Sequence, residues 1–417
     1  MRVAIIFREG IPEVGGGYTF SREILDSIVN FGSQSSHTFI IYTTNKESPS
    51  LLSGFQNIQH VSIYPSSKRR WLYKFITIRN AIIKKLKNYR RVKFQIENWY
   101  SYFILNSLTT NNIDIIWELG PDCLTMEVPY ITTVWDLQHR MQSYFPEVSI
   151  KGEWDIREEG YITKLKRATF ILTGTQAGKA EINQLYQVPA ERIKVLPFPT
   201  PGFALDAVVS DARQIFEKYN LPNNYLFYPA QFWPHKNHVG LLLAVKCLKD
   251  KHDLVFPVVF SGSDKGNKGY IKQVVADLSL DKQVHFLGFV PQQDLTLLYS
   301  NAFALTFLTF FGPDNLPPLE AFALGCPVVA SKVSGAEEQL GDAALLVDPN
   351  NTEQIALAIK SLWDDVSLRQ TLIQRGFLRA NKWTGKDYVK GIFSVLDEFT
   401  PVRRCWSNAT DYVATIK

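Results

Sequence analysis

Residues 303–331 have the sequence FALTFLTFFGPDNLPPLEAFALGCPVVAS and contain one complete strand–helix–strand unit. The apolar runs 303–307 and 327–330 have the length and composition of buried strands. The loop between them contains Gly312 and leads into a helix at Pro317-Pro318, where proline suits the first turn because its missing N–H costs nothing there. This order predicts a parallel sheet covered by helices.

The same alternation of strands and helices continues on both sides of this unit. Three prolines and a glycine in PFPTPG, at 197–202, interrupt it and predict an interdomain linker. We therefore predict an α/β protein with two Rossmann-like, doubly wound parallel-sheet domains, over 1–200 and 201–385, that face each other across a crevice. Ligands of such sheets bind beyond the carboxyl ends of the strands. We expect 386–417 to form a helix and a tail that pack back toward the first domain. The other predicted strands are 2–7, 37–42, 58–63, 113–117, 130–134 and 169–172 in the first half and 225–229, 256–260, 284–287 and 344–347 in the second.

The composition is that of a folded protein: of 417 residues, 46% are hydrophobic and 20% are charged, with a formal net charge of +5. It excludes collagen-like, disordered and disulfide-scaffold proteins. The cysteines at 123, 247, 326 and 405 stand far apart without a CxxC pair, which fits a reducing compartment. The first apolar run is too short for a signal peptide, and no apolar stretch of about 18 residues occurs. We expect a cytoplasmic protein.

One segment carries much of the positive charge. Eleven Lys and Arg residues and no acidic residue lie between Lys68 and Lys93, and apolar residues recur among them at steps of three and four. This pattern predicts an amphipathic helix with a basic face. The face is either simply solvated or an adhesive surface for anionic lipid, on which the protein would be peripheral to the membrane. Nucleic acid is disfavoured because no nucleic-acid-binding motif accompanies the charge.

The segment FGPDNLPPLE, at 311–320, is the strongest candidate for a binding site. Its helix start offers free N–H groups that suit a diphosphate. Glu320 lies in the first turn and could accept hydrogen bonds from a vicinal diol such as the 2′ and 3′ hydroxyls of a ribose. A glutamate that only stabilises the helix dipole is the alternative. We favour a functional role because a proline-stiffened loop and a buried helix surround Glu320.

Two further segments could contact the same diphosphate. Lys236, in YPAQFWPHKN at 228–237, follows a strand and stands at a helix start, where a cation needs an anionic partner. The alternative is a lysine that points to solvent. The run Gly15-Gly16-Gly17 precedes the first helix, and glycine lets a backbone approach phosphate closely, although such runs are often only turns.

The segment VWDLQHR, at 134–140, follows a predicted strand and is expected on the crevice side. Asp136 and His139 could serve as an acceptor-side base, a sugar anchor or a partner of the leaving group. A capping Asp136 and a packed His139 are the alternative. No spacing of His, Cys or carboxylates predicts a metal site.

The order of these motifs resembles the family-4 retaining glycosyltransferases of GT-B fold. Besides the glycine run and HKN at 235–237, the segments FSGSD at 260–264, HFLGFV at 285–290 and LPPLEAFALGCPVVAS at 316–331 carry the resemblance. It covers both halves and is most specific over 225–350, and FGPxNxPPLE marks a subgroup of the family.

The resemblance implies a role for each candidate residue. Lys236 would hold the donor diphosphate, and Glu320 would hold the ribose hydroxyls. Together with Asp136 and His139 from the 134–140 segment, Lys236 is a candidate catalytic residue. The candidate donor-binding residues are Gly16 and Gly17 over the diphosphate, Phe289 and Val290 near the base, and Pro313, Asp314, Asn315 and Leu316 around phosphate and sugar, with Ser261 and Glu320. The resemblance also implies that no cofactor and no metal is needed, and the chain has no DxD motif.

The chain departs from the family pattern at two positions. The first glutamate of the family's paired-glutamate motif is replaced by Gly312, and a basic residue upstream of Lys236 is replaced by Gln231. The subgroup shares the first departure. Asp314 is the candidate to replace the missing glutamate in sugar recognition.

These observations predict a metal-independent, retaining hexosyltransferase. The donor would be a nucleotide-diphosphate sugar, for which the resemblance favours UDP-glucose. The acceptor would be a saccharide or a lipid-linked molecule in exopolysaccharide or glycoconjugate synthesis. A nucleotide-sugar epimerase of the same fold and a non-catalytic carbohydrate-binding scaffold remain as alternatives.

Overall fold

A computed structural model describes residues 1–8, 10–12, 15–43, 59–63, 104–207 and 213–407. The basic segment 68–93 lies outside the described residues, so the helix and the lipid-binding face predicted there stay predictions.

Two parallel sheets form the frame of the molecule. The first has seven strands in the order β3-β2-β1-β4-β5-β6-β7, and the second has six in the order β10-β9-β8-β11-β12-β13. Every neighbouring pair is parallel. The strands are β1 Arg2–Phe7, β2 Thr38–Thr43, β3 Gln59–Ser62, β4 Ile115–Glu118, β5 Tyr130–Thr133, β6 Phe170–Thr173, β7 Ile193–Val195, β8 Leu226–Pro229, β9 Val258–Ser261, β10 Val284–Gly288, β11 Ala304–Phe307, β12 Val328–Ser331 and β13 Ala344–Val347.

Helices connect the strands and cover the sheets. Residues 104–110 are also helical. The remaining helices are α1 Gly16–Phe31, α2 Gln138–Met141, α3 Glu153–Arg167, α4 Gln176–Tyr186, α5 Gly202–Leu205, α6 Arg213–Tyr219, α7 His238–His252, α8 Lys268–Asp277, α9 Gln292–Ser300, α10 Leu316–Ala323, α11 Ala336–Leu340, α12 Thr352–Asp364, α13 Val366–Lys382 and α14 Gly385–Arg403.

The prediction of two doubly wound sheets is confirmed. Each predicted strand has a counterpart in the structure within about two residues, because the central strands are buried on both faces and therefore form continuous apolar runs. The seventh strand of the first sheet, Ile193–Val195, was not predicted. It has three residues, one of them Lys194, and so lacks a clear apolar pattern.

The strand order reverses at one place in each sheet, between β1 and β4 and between β8 and β11. Loops from neighbouring strands diverge at such a switch point and leave a crevice beyond their carboxyl ends. The loops after β1, β5, β8 and β11 carry most of the candidate site residues, while Ser261, Phe289 and Val290 lie at the ends of β9 and β10. All of these positions are at the carboxyl ends of the strands.

The chain crosses between the two halves twice, at neighbouring positions. Thr200 forms a parallel bridge with Thr384, and the N–H of Thr200 donates to the carbonyl of Trp383 at 3.1 Å. Beyond this point α14 packs on α1, and Tyr388, Ile392 and Leu396 share one apolar core with the first sheet. The last described helix is therefore part of the N-terminal half.

Candidate functional site

A cavity of about 380 Å³ lies between the carboxyl ends of the two sheets, and we call it the lysine cavity. Lys236 and Asn315 line it from the C-terminal half, and Gly16, Gly17 and Asp136 line it from the N-terminal half. Five candidate residues from loops far apart in sequence are thus brought together in one place.

Lys236 ends a short 3-10 turn, Pro234–Lys236, directly before α7. The hydroxyl of Tyr228 donates to its carbonyl, and its ammonium lies 4.9 Å from the centre of the Phe307 ring. Burial lowers the pKa of Lys236 to about 8, while the negative charges of Asp136 and Glu147 oppose this shift. A buried cation of this kind is stabilised by an anionic ligand.

The glycine run places the start of α1 against the cleft. Gly15 precedes the helix with a φ of 88°, in the region that favours glycine. A Cβ on Gly17 would come within 3.0 Å of the Trp135 ring. Gly15 and Gly16 both line the lysine cavity, so the backbone at the start of α1 borders the cavity without a side chain of its own in between.

The 311–320 segment forms a tight loop and then α10. Gly312 has a φ of 119°, and a Cβ there would come within 2.8 Å of Asn315 Oδ1. The Asn315 amide donates to the carbonyl of Gly312 at 2.7 Å, which closes the loop. Position 312 requires glycine for its backbone, which is a physical reason for the absence of a glutamate there. Leu316 begins α10 and faces the cleft.

Glu320 lies in an adjoining cavity of about 180 Å³, which we call the glutamate cavity. Glu320 is 5% exposed, and its Oε2 accepts a hydrogen bond from the Tyr299 hydroxyl at 2.7 Å. Burial raises the pKa of Glu320 to about 7, and the hydrogen bond from Tyr299 opposes the shift. Ser261, Phe289 and Val290 also line this cavity, and Phe289 is the most exposed of the three. Gly16 and Leu316 line both cavities, so the two are continuous.

Asp314, the candidate to replace the missing glutamate, already has a hydrogen-bond partner at each carboxylate oxygen, and its role in sugar recognition stays a prediction. Oδ2 accepts the N–H of Phe198 at 2.7 Å, and Oδ1 accepts from the Gln339 amide. A Cβ on Gly174 would collide with Oδ2. Asp314 borders the lysine cavity, its Oδ2 joins the interdomain segment to the C-terminal half, and burial raises its pKa to about 7.

Pro313 was predicted to lie near the phosphate and sugar, and this role stays a prediction. Its carbonyl packs so closely on Gly335 that a Cβ there would collide with it, and Pro313 lines none of the three cavities described in this section. The two ends of the loop, Gly312 and Asn315, face the lysine cavity instead.

Asp136 and His139 have different surroundings, although both were predicted to face the crevice. Asp136 lines the lysine cavity, and its Oδ1 accepts from the N–H of Gln138 at 3.0 Å and from Arg157 at 3.3 Å. His139 is fully buried, so the crevice-facing prediction is wrong for it.

His139 belongs to a buried polar cluster behind the cleft. Its Nε2 lies 3.2 Å from both Glu158 Oε2 and the Tyr186 hydroxyl. Arg140 binds Glu158 with both its Nε and its terminal nitrogen, and this hydrogen bonding lowers the pKa of Glu158 to about 2. Burial lowers the pKa of His139, which therefore packs as a neutral ring that fixes α2 to α3.

The structure adds three residues that the sequence analysis missed as site residues. Tyr299 holds Glu320, while Glu147 and His235 pair beside Lys236 across the two halves, with His235 Nδ1 2.5 Å from Glu147 Oε1. Tyr299 has the apolar neighbours of a core residue in the sequence. Glu147 follows a proline in a loop without a motif, so no local signal pointed to it.

A third cavity, of about 370 Å³, lies on the N-terminal half, and we call it the N-side cavity. Arg8, Glu118 and Asp122 supply its charges, and Trp135 forms a wall. Glu118 is 2% exposed, and its Oε2 lies 3.7 Å from Arg8. Burial raises the pKa of Glu118 to about 7, while Arg8 opposes the shift. Gly17 and Trp135 line this cavity and the lysine cavity, so the two adjoin.

Within the described ranges, no group of three or more His, Cys, Asp and Glu side chains is placed to hold a metal ion. None of the helices in the described part of the chain is both long and apolar enough to cross a membrane.

Comparison with known proteins shows which sequences the chain is similar to. Residues 211–379 match the family model described as "Glycosyl transferases group 1". The chain is 30% identical over 240 residues to O-antigen chain mannosyltransferase B of Escherichia coli, a match that covers 57% of this chain and 63% of that protein. The match thus spans less than two thirds of the relative's length.

Solved structures resemble the chain over nearly its whole length. A glycosyltransferase from Rickettsia africae ESF-5 superposes with a TM-score of 0.67 at 16% identity and covers 96% of this chain and 98% of that one. Anabaena Alr3699/HepE in complex with UDP and glucose has a TM-score of 0.65 at 15% identity, over 95% and 100%. Both halves together have the GT-B fold.

Proposed function

We propose that this chain, which has the GT-B fold and a Glycosyl transferases group 1 domain, is a retaining glycosyltransferase. It would move a hexose from a nucleotide-diphosphate sugar to a saccharide or a lipid-linked acceptor. The observation that carries the proposal is the meeting of Lys236 and the starts of α1 and α10 in one cavity, with Glu320 in the adjoining one. These groups match the two parts of a nucleotide diphosphate, which are an anion and a ribose diol.

In this proposal the donor lies across the two continuous cavities. The diphosphate occupies the lysine cavity, where Lys236 and the N–H groups of α1 and α10 bind its oxygens. Glu320, oriented by Tyr299, accepts hydrogen bonds from the ribose hydroxyls. The base lies toward Phe289 and Val290 at the mouth of the glutamate cavity.

The reaction would take place where the lysine cavity adjoins the N-side cavity. The bond from the anomeric carbon to the diphosphate oxygen breaks, and a bond to the acceptor oxygen forms on the same face. The acceptor hydroxyl gives its proton to an oxygen of the departing diphosphate. Lys236 and the helix starts stabilise the negative charge on that leaving group. We expect this stabilisation to suffice without a divalent metal.

The N-side cavity is the proposed place of the acceptor. Arg8, Glu118 and Asp122 offer donors and acceptors for sugar hydroxyls, and Trp135 offers an apolar ring face. A lipid-linked acceptor would also suit the basic segment 68–93, which we propose contacts an anionic membrane surface from the cytoplasmic side. Synthesis of a surface polysaccharide fits this arrangement.

Two candidate donors, which differ in their sugar, are each favoured by a different observation. The family resemblance favours UDP-glucose, and a structural neighbour was solved with UDP and glucose. The relative at 30% identity is a mannosyltransferase, which favours mannose. We propose to assay UDP-glucose and GDP-mannose side by side, with nucleotide release and sugar transfer measured together.

Lys236→Ala and Glu320→Ala test the proposal. We expect Lys236→Ala to lower turnover at least about 100-fold, as for other groups that stabilise a leaving charge. We expect Glu320→Ala mainly to weaken calorimetric binding of the nucleotide, with EDTA present. Lys246→Ala, which removes a half-buried lysine paired with Asp250 on α7, is the control and should change neither.

The outcomes distinguish the alternatives. Unchanged turnover of both variants at saturating donor would refute the proposed roles. Conversion of the donor sugar without any acceptor would indicate the epimerase. Binding of nucleotide or sugar without turnover of any donor would indicate the scaffold.

A further inference from the structure

A segment of the N-terminal half reaches across the cleft at the side of Lys236. We call residues 142–148 the strap. The Gln142 side chain donates to the carbonyl of Phe310 at 3.1 Å, and the Phe145 ring lies 5.7 Å from the ring of Phe310 and 5.5 Å from that of Phe311. The strap is anchored at its start, because α2 directly before it is held to α3 by the His139–Glu158 cluster.

The strap brings a carboxylate into the C-terminal half. The side chain of Glu147 is 6% exposed. Its Oε1 accepts the backbone N–H of His235 at 2.9 Å and lies 2.5 Å from His235 Nδ1. Its Oε2 is buried and has no hydrogen-bond partner among the described residues. Such a contact fixes both the ring and the backbone of the residue that precedes Lys236.

His235 links this carboxylate to two parts of the candidate site. Its ring stacks on Phe311 with the ring centres 3.9 Å apart, and Phe311 begins the loop that leads to α10. Burial lowers the pKa of His235 to about 4, so the ring is neutral near pH 7 and can donate Nδ1–H to Glu147. The charge of Glu147 is therefore not cancelled by His235.

The charge on Lys236 depends on its neighbours. Four titratable groups face it from different elements: Asp136 after β5, Glu147 on the strap, His235 in its own turn and His238 at the start of α7. Both histidines are kept neutral by burial, so the two carboxylates are the counter-charges. Both carboxylates come from the N-terminal half.

We propose that Glu147 is a positioning residue for Lys236, supplied across the domain interface by the strap. It orders the His235–Lys236 turn and keeps the lysine in its charged form while the two halves are docked. The consequence of Glu147 for sugar transfer rests on the proposed function, whereas the effect of Glu147 on Lys236 does not.

The direct test measures the titration of Lys236 in the full chain without ligand. Trace acetylation with acetic anhydride across pH 6–10, followed by mass spectrometry of the peptide containing Lys236, reports the fraction of free amine. Glu147→Gln keeps the shape and the hydrogen-bond acceptor but removes the charge. We expect the titration midpoint to fall by about 1 pH unit, since loss of a nearby negative charge disfavours the ammonium. Glu147→Asp keeps the charge, so its titration midpoint should lie close to the wild-type value.

Glu338→Gln is the matched control. Glu338 is also a carboxylate at the domain interface, where it accepts the N–H groups of Gln176 and Ala177 at 2.6 and 2.9 Å, at the start of α4. Its substitution removes the charge from a different contact between the two halves and does not touch the Lys236 turn. The Lys236 midpoint should stay at the wild-type value in this variant, and an equal shift in both variants would overturn the proposal.

Kinetics provide a second readout. In Glu147→Gln the alkaline limb of the pH profile of kcat/KM should move to lower pH by the same amount as the titration midpoint. An unmoved midpoint in a variant that keeps its wild-type melting temperature overturns the proposal, even if sugar transfer is observed. A shifted midpoint in a protein that transfers no sugar supports the proposal and refutes the proposed function instead. If Glu147→Gln does not fold, Phe145→Ala, which detaches the strap, should lower the midpoint in the same direction.

Discussion

The hydrogen bond between Tyr299 and Glu320 leads to a quantitative prediction for the pH dependence of nucleotide binding. Tyr299→Phe removes one hydroxyl, which lies 2.7 Å from the carboxylate of Glu320, a residue that is 5% exposed. A hydrogen bond to a charged group contributes roughly 1.5–3 kcal/mol. Since about 1.4 kcal/mol corresponds to one pH unit, its loss should raise the pKa of Glu320 from about 7 to roughly 8–9.

The size of the effect follows from the ionised fraction of Glu320. If the ribose hydroxyls require the carboxylate, the ionised fraction at pH 7 falls from about one half to between about one tenth and one hundredth, by the same pKa difference. The dissociation constant of the nucleotide should then rise about 5- to 50-fold at pH 7 and by no more than about twofold at pH 9. Lys236 titrates in the same range, but its contribution cancels in the ratio of variant to wild type.

Calorimetric titration with UDP, GDP and ADP at several pH values between 6 and 9 measures this ratio. Tyr225→Phe is the matched control, because the Tyr225 hydroxyl is equally buried and donates at 2.6 Å to the carbonyl of Leu298 rather than to Glu320. A loss of affinity that is equal at every pH, or no loss at all, would refute the hypothesis that the ionised Glu320 carboxylate binds the ribose hydroxyls. Both variants should keep a cooperative thermal transition.

Three further predictions concern other parts of the molecule. Gly312→Glu should weaken nucleotide binding rather than increase turnover, since the φ of 119° at this position costs a non-glycine residue roughly 1–3 kcal/mol; higher turnover in a transfer assay would contradict this. Arg140→Gln should lower the free energy of unfolding by about 2 kcal/mol at pH 7 in urea titrations. The folded-state pKa of Glu158, about 2, lies below the ordinary value of 4.5, so the pairing stabilises the wild-type protein fully above pH 4.5. The difference in stability between wild type and variant should therefore shrink as the pH falls toward 2. A difference that is constant with pH would contradict the pairing. Replacing Lys84, Lys85, Lys87, Arg90 and Arg91 with neutral residues should abolish sedimentation with anionic vesicles, and unchanged sedimentation would refute the lipid-binding face.

The features that the sequence predicted well are those that neighbouring residues determine. Buried strands such as Arg2–Phe7 form apolar runs, and Pro317-Pro318 marks the start of α10 to within one residue. Lys236 and Glu320 were both expected in the crevice, and they line adjoining cavities there because the segments after β8 and β11 leave the same edge of one sheet, while their roles stay predictions. In a parallel sheet these edges coincide, so position along the chain already indicates position in space.

The features that were missed or mistaken depend on contacts between distant residues. Asp314 has the sequence context of a ligand-binding carboxylate, but it binds the N–H of Phe198, which lies 116 residues away. Glu147 and His235 are separated by 88 residues, and no local pattern marks either one as a partner of the other. His139 lies only three residues from Asp136, yet one turn of helix directs it into the core.

The position of α14 has a consequence for the order in which the protein matures during synthesis. Residues 201–384 are continuous, so the C-terminal half can fold as soon as they leave the ribosome. The N-terminal half emerges first, before the core residues Tyr388, Ile392 and Leu396 have been synthesised. In the folded protein its His37 Nε2 lies 3.0 Å from Asp397 Oδ1, which is 360 residues further along the chain. Contacts so distant in sequence form slowly, and the incomplete half exposes apolar surface until they do. The half that is translated first is therefore the half that is completed last.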